Sequence, residues 1–395
     1  MIHKKIGKVK AVISRRCGLT EISVDIAGKI YPAINFDNLT GRVQEGDTVL
    51  LNTTAVDLNL GSGGYHFVMA NLSEPAEKEE KINGLGHIMK LRYTPFQMRV
   101  LAAEEQDSPY HELLKEEESL CSTPVVCCTL HSMLPPAAAS IKALSPNLRV
   151  VYVMTDGAAL PIQLSRLVQI LKEKNLIQAT VTTGHSFGGD LEAVNIYSGL
   201  LAAKKVFNAD IIIVSMGPGI VGTGTTYGFT GIEQADIINA VKVLEGIPIG
   251  VPRISFADRR ERHYGLSHHS RTALGKASLS RAVVALPIMD EEKVEKIINQ
   301  MKESRITEKH IIVLEDGNQG LEFLSENNIK VTTMGRSILE DREFFLAPSA
   351  AGSTAVKILM GEKLNLLDIN FLDKWGKEDI WKKKELTPEQ FIKGE

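Results

Sequence analysis

The spacing of apolar residues changes character near residue 104. Before it, short apolar runs recur at 10–13, 21–26, 48–51, 65–70 and 99–102. They are parted by turn sequences such as Ala27-Gly28, Glu45-Gly46-Asp47 and Gly61-Ser62-Gly63-Gly64. Such a pattern predicts strands and tight turns, so residues 1–103 read as a small all-β, barrel-like domain. VQEGDTVLLN has the form of a turn and strand of a small barrel, and 74–81 reads as a charged surface connector. Past 104 the period lengthens. Ser108 suits an N-cap and Pro109 a first helical position, so PYHELLKEEESL predicts a helix. Strands are then expected at 125–129, 149–154, 178–182, 211–215, 248–254, 282–286, 310–314 and 330–333. Helices are expected at 135–144, 162–174, 191–207, 232–244, 270–280, 291–303 and 319–327. Near-continuous apolar strands between amphipathic helices mean a parallel sheet covered on both faces. The fold class is therefore α/β: a doubly wound, mostly parallel, Rossmann-like sheet over 104–361 behind an N-terminal β domain. The tail 362–395 carries Trp375 and Trp381. It is expected to pack on its own domain or on a neighbouring subunit of a homo-oligomer.

Composition narrows the class. A formal net charge of −3 argues against nucleic-acid binding by bulk charge. Six Lys/Arg in the first sixteen residues suit a solvated strand face better than a nucleic-acid patch. No apolar run reaches eighteen residues, and MIHKKIGKVKAV lacks the marks of a secretory signal, so a cytoplasmic protein without membrane spans is expected. Cys17, Cys121, Cys127 and Cys128 include no CxxC; buried reduced thiols are expected, with Cys127 and Cys128 on opposite faces of a strand.

The polar residues are not spread evenly. Between Arg253 and Arg271 stand five arginines and three of the ten histidines, with Asp258 and Glu261. More broadly, strand-to-helix loops carry His, Asp, Arg and Gly, whereas helix-to-strand loops are plainer. Open α/β sheets bind ligands outside the carboxyl ends of their strands, so one shared cleft is expected there. Gly217, Gly219, Gly222, Thr223, Gly224 and Thr225, in MGPGIVGTGTTYGFTG, read as an anion cradle, helped by the positive end of a helix starting near Ile232. GPGIVG fits GxGxxG, but no helix opens at once and no acidic residue follows at dinucleotide-fold spacing; a Walker A loop lacks its Lys. Arg253 ends an apolar strand, where a buried cation needs an anionic partner. Arg259, Arg260, Arg262 and Arg271 read as a solvated face.

Ser267 can cap a helix whose first turn holds His268 and His269; the helix dipole would keep both neutral. With adjacent residues diverging by about 100°, one faces the site and the other packs. Candidate acid–base or ligand groups are His185, Asp190, His268, His269, Asp156 and Asp258, with a divalent metal possible and the cofactor otherwise unknown. GHSFG, holding Ser186, matches a nucleophile elbow. The leading expectation is an enzyme of hydrolase or transferase type acting on a small anionic, possibly phosphorylated metabolite. The alternatives are a non-catalytic metabolite sensor or scaffold and an esterase-like hydrolase using Ser186.

YTPFQ, EEQDSPYHELL, VVYVMTDGAALP, GGDLEAVNIYSGLLAA, MGPGIVGTGTTYGFTGI and RERHYGLSHHSRTALG together resemble an uncharacterised bacterial family, mostly of Gram-positive lineages, classed as a domain of unknown function. The resemblance runs to about Leu359 and implies a cytoplasmic bacterial protein. It implies no activity, substrate or site residue. Arg259, where relatives look more like ADPRERH, and the tail after Gly361 depart from it.

Overall fold

This computed structural model describes residues 1–61, 63–73, 85–367 and 384–386. The connector 74–81 and both tryptophans lie outside them. The chain divides into two compact units, Met1–Val100 and Leu101–Glu395.

In the first unit β1 (Lys4–Arg16), β2 (Leu19–Ile26), β3 (Lys29–Phe36), β4 (Thr48–Asn52) and β5 (His66–Asn71) close a barrel in the order β1-β2-β3-β5-β4. The long β1 serves two neighbours, β4 through Lys4–Lys8 and β2 through Lys8–Arg16. Bulges between Val9 and Ala11 and between Val12 and Ser14 bend it between them. Val9, Ile22, Val24, Val49 and Leu51 fill the interior. β3 was not among the expected strands, because Pro32 interrupts its pattern; it pairs with β5 only through Ala33 and Ile34, outside Pro32. The run 99–102 is not part of the barrel: β7 (Met98–Val100) pairs with β6 (Ile88–Lys90) in a separate ribbon. The N-terminal cations meet acids, Lys5 at 2.7 Å from Asp57, Lys10 at 3.3 Å from Asp25 and Arg16 at 3.1 Å from Glu21.

The second unit is built on one mostly parallel sheet. Its strands are β8 (Pro124–Cys127), β9 (Val150–Thr155), β10 (Ala179–Thr182), β11 (Leu191–Glu192), β12 (Ile211–Met216), β13 (Ile247–Gly250), β16 (Val283–Pro287), β17 (Ile311–Glu315), β18 (Leu364–Leu366) and β19 (Lys384–Leu386), while β14 (Ile254–Ser255) and β15 (Gly265–Leu266) form a separate two-stranded ribbon. The order is β11-β10-β9-β12-β8-β13-β16-β17-β18-β19, with β18 and β19 antiparallel at one edge. Alternation along each strand feeds two cores. Val126, Cys128, Tyr152, Met154 and Ile213 pack with the helices Leu134–Leu144, Asn318–Glu326 and Arg342–Leu359; Val125, Cys127, Val153 and Val214 pack with Ile196–Lys205, Glu233–Val243 and Glu291–Glu303. Cys127 and Cys128 thus do face opposite ways. All four thiols are free, but Cys17 and Cys121 are exposed, against the expectation that the cysteines are buried.

Several elements differ from their sequence patterns. PYHELLKEEESL yields only the four-residue helix His111–Leu114, since its charged half finds no apolar face to bury. The segment 330–333 is loop, not strand. The helix Ile196–Lys205 starts later than expected, at a capping box between Asn195 and Ser198, and Leu191–Glu192 adds an edge strand instead. Arg342–Leu359, the longest helix described, was not foreseen. It is buried on nearly all sides, so it has no amphipathic period, and Pro348 and Gly352 look like breakers. Among the described residues, no helix is long and apolar enough to cross a membrane.

Candidate functional site

The carboxyl end of β8 is a switch point. After β8 the chain passes to the helix Leu134–Leu144 on one face. After its neighbours β12 and β13 it passes to Glu233–Val243 and His268–Thr272, which pack toward the other face. Loops that part in this way leave a crevice between them. Two neighbouring hollows open here and share Ile220 and Met334. The smaller, about 70 Å³, is lined by Gly222, Gly224, Arg253, Arg260, Arg262, His263 and His269. The larger, about 290 Å³, is lined by Leu130, His131, Leu167, Pro218 and Gly219.

The loop after β12 folds back as a tight turn. Gly222 bridges Phe229, the Thr223 amide donates to the Gly228 carbonyl at 2.8 Å, and the Thr223 and Thr225 hydroxyls lie 2.9 Å apart. Gly224 takes φ of +82°, and Arg262 Nη1 lies 3.0 Å from where its Cβ would stand. A Cβ at Gly222 would sit 3.2 Å from His269 Nε2. Small residues therefore let this turn close over the loop after β13. Only part of the expected cradle lines the small hollow: Gly222 and Gly224 do, Gly219 lines the large one, and Gly217 is buried against the Ala159 carbonyl. Thr223 and Thr225 spend their hydroxyls on the turn itself. The helix end does not help as expected either. Glu233 and Asp236 occupy the first turn of Glu233–Val243 and would repel an anion.

Opposite the turn stands Arg253, 3% exposed. Its Nη2 is 3.5 Å from Asp258, its Nε has no hydrogen-bond partner, and burial pulls it down to about 10, still a cation at neutral pH. Asp258, a candidate acid–base or ligand group by sequence, accepts hydrogen bonds from arginines instead. It is the hub of an arginine cluster, 2.7 Å from Arg260 and 3.7 Å from Arg336, and the Arg260 hydrogen bonds hold its carboxyl well below the usual range. Arg260 and Arg262 are correspondingly not merely a solvated face. The density of arginine around Asp258 was the signal available for them.

The imidazoles form a second layer. Ser267 caps His268–Thr272 by accepting from the His269 amide, as its position suggested. Both histidines turn the same way: their ring centroids are 4.3 Å apart, and His263, from a short 3₁₀ turn, lies 4.9 and 5.0 Å from them. The expectation that one ring faces the site while the other packs does not divide the pair: His269 both lines the small hollow and stacks on Phe229 at 4.0 Å. His263 donates or accepts through Nδ1 at 2.7 Å from the Ser267 hydroxyl. His268 Nε2 and His269 Nδ1 are buried with no partner. Burial, then the nearby charges, pushes His263 and His269 down to about 3 and lowers His268 as well. Neutrality therefore comes chiefly from desolvation, not from the dipole of a five-residue helix. His263 was the functional candidate that spacing alone did not single out.

The remaining candidates do not join this group. The Asp156 carboxylate accepts from the His185 amide at 2.8 Å, in the loops after β9 and β10. β10 stands four strand positions from β13, roughly 19 Å at the usual strand spacing of about 4.8 Å. Beside Asp156 is Glu233, hydrogen-bonded by Thr155 at 2.6 Å and raised to about 7 mainly by burial. Asp190 turns back toward the start of β10, accepting from the Thr180 amide at 2.8 Å and pairing with Lys172, so it reads as a brace. Ser186 is no elbow: it is fully buried, with its hydroxyl 2.7 Å from the Thr183 carbonyl and 3.0 Å from that of Met154.

No curated protein and no solved structure matches this chain. A family model matches residues 32–352, more than half its length, and by that match the chain belongs to the family described as "Protein of unknown function (DUF3866)".

Proposed function

We propose that this protein is an enzyme acting on a small anionic metabolite, held with its charged group in the notch between the Gly222–Gly224 turn and Arg253, Arg260 and Arg262. One observation carries the reading: Arg253 is buried, yet its Nε lacks a partner and its carboxylate is shared with two other arginines. A buried donor left unsatisfied costs about 1–3 kcal/mol, more when charged. A ligand oxygen removes that cost and balances the excess positive charge. A hollow of about 70 Å³ suits a phosphate or carboxylate group, since a single buried water already needs roughly 10–15 Å³. The adjoining 290 Å³ hollow, walled by Leu130, Leu167, Pro218 and Ile220, suits the less polar body of such a molecule. Neutral imidazoles beside the notch supply the groups for chemistry. Four free cysteines fit a reducing, cytoplasmic setting.

The test is thermal stability across a panel of phosphorylated and carboxylated metabolites, followed by product analysis of those that bind. Binding ligands should raise the melting temperature of the native chain and leave that of Arg262→Ala unmoved. Equal shifts in both proteins would place the site elsewhere; binding without turnover across the panel would favour a sensor over an enzyme.

A further inference from the structure

Three imidazoles stand beside the anion notch, and anion binding needs none of them. One ring nitrogen from each of His263, His268 and His269 lies within 4.8 Å of the other two. His263 and His269 are 2% and 6% exposed. His269 Nδ1 and His268 Nε2 have no partner in the protein. Buried polar atoms are nearly always satisfied, so two orphan ring nitrogens within a cluster of three imidazoles are an unusual arrangement. His263 adds an outer partner of the kind that fixes a ligand's tautomer. With the proton on Nδ1, toward Ser267 at 2.7 Å, Nε2 presents a lone pair, which Arg262 Nε approaches at 3.5 Å and must yield to a metal.

We propose that His263, His268 and His269 bind a divalent transition-metal ion of the zinc class, with an open coordination position facing the arginine notch. Imidazole nitrogen selects such ions over magnesium or calcium, and three histidines with a vacant fourth place is a pattern of catalytic sites. Metal–nitrogen bonds of about 2.0–2.1 Å in tetrahedral geometry bring ligand atoms to roughly 3.4 Å. The rings must therefore close by up to about 1.4 Å. His268, the least buried of the three and the first residue of its helix, has the room to do so. Phe229 and Ser267 hold the other two.

The surrounding charge sets a condition. Arg253, Arg260 and Arg262 oppose a lone cation, while Asp258 is already engaged by arginines. An anion seated in the notch neutralises the arginines and can reach the open position. Metal and anion should therefore each tighten the other's binding, a reciprocal coupling. This part of the proposal rests on the anion site above; the three-histidine ligand set does not.

The test is titration of the full-length, chelator-stripped protein with Co²⁺, followed by its visible absorption, with and without sulfate as the anion probe. One Co²⁺ per chain with an intense four-coordinate spectrum is expected. Affinity should fall at least tenfold in His269→Ala and in His268→Asn, the second being a partly buried position that keeps the fold testable by circular dichroism. His185→Ala should bind as the parent does. Sulfate should tighten Co²⁺ several-fold in the parent and not in Arg262→Ala. Absent binding, or equal losses in His185→Ala and His268→Asn, overturns the metal site, whatever sulfate does. Retained metal binding with no sulfate effect supports the ligand set and overturns the anion notch. A sulfate-induced thermal shift without Co²⁺ binding does the reverse.

Discussion

Two polar clusters share the carboxyl edge of one sheet and are built in opposite senses. Around the loops after β9 and β10, Asp156 accepts from the His185 amide and Glu233 from the Thr155 hydroxyl, so carboxylates brace the loops that carry them. Around the loops after β12 and β13, guanidinium groups outnumber the carboxylate they share, and ring nitrogens are buried without partners. The first arrangement satisfies itself; the second leaves capacity for something else. A fold keeps such unsatisfied groups where a ligand completes them, which is why the second cluster and not the first is the candidate site.

The largest expected difference between the clusters is in stability. Asp258→Asn removes the carboxylate compensating three arginines and should cost about 3–5 kcal/mol in urea unfolding. Asp156→Asn, at an exposed position, should cost about 1 kcal/mol or less. Similar losses would erase the contrast. Next comes acid sensitivity on the imidazole side. His131, from the loop after β8, lies 2.6 Å from the Ser165 hydroxyl and is held down to about 4 by burial. Between about 6.5 and 4 the unfolded chain binds the proton and the folded one does not, so stability falls as pH drops through that window. His131→Asn should flatten that fall by up to about 3 kcal/mol; an unchanged slope would remove His131 from the account.

Glu233 should respond with the other sign. Its folded pKa of about 7 exceeds the unfolded value of 4.5, so the folded state holds the proton between those limits. Its stabilising proton is present at low pH and lost as pH rises through 7. Glu233→Gln should therefore gain up to about 3 kcal/mol at pH 8 and nothing at pH 4. A gain independent of pH would mean that packing, not titration, is responsible. The smallest effect belongs to the brace at the edge. Lys172→Ala breaks a half-exposed pair with Asp190 and should cost under about 1 kcal/mol without altering any ligand-induced shift. A changed ligand response there would reopen Asp190 as a site residue.

Much of the α/β unit was legible because its signals are local. The runs around Val125, Val151 and Ile212 are buried on both faces and read as parallel strands on composition alone. Arg253 was legible as a cation closing such an apolar run, although the strand itself stops at Gly250. Arg342–Leu359 was not, since a helix buried all round has no polar face to give it a period. Ser186 matched a motif in its string and failed it in space, where two carbonyl oxygens hold the hydroxyl.

From the amino-acid order alone came the two-part architecture, the doubly wound sheet and the edge on which polar loops collect, because burial periodicity and turn chemistry act over a few residues. Only the tertiary structure separated Asp156 and His185 from His268, joined His263 to its neighbours and made Asp258 an arginine hub. Those facts follow from strand order and from packing such as Phe229 on His269. No local pattern records which distant segments come to share a wall.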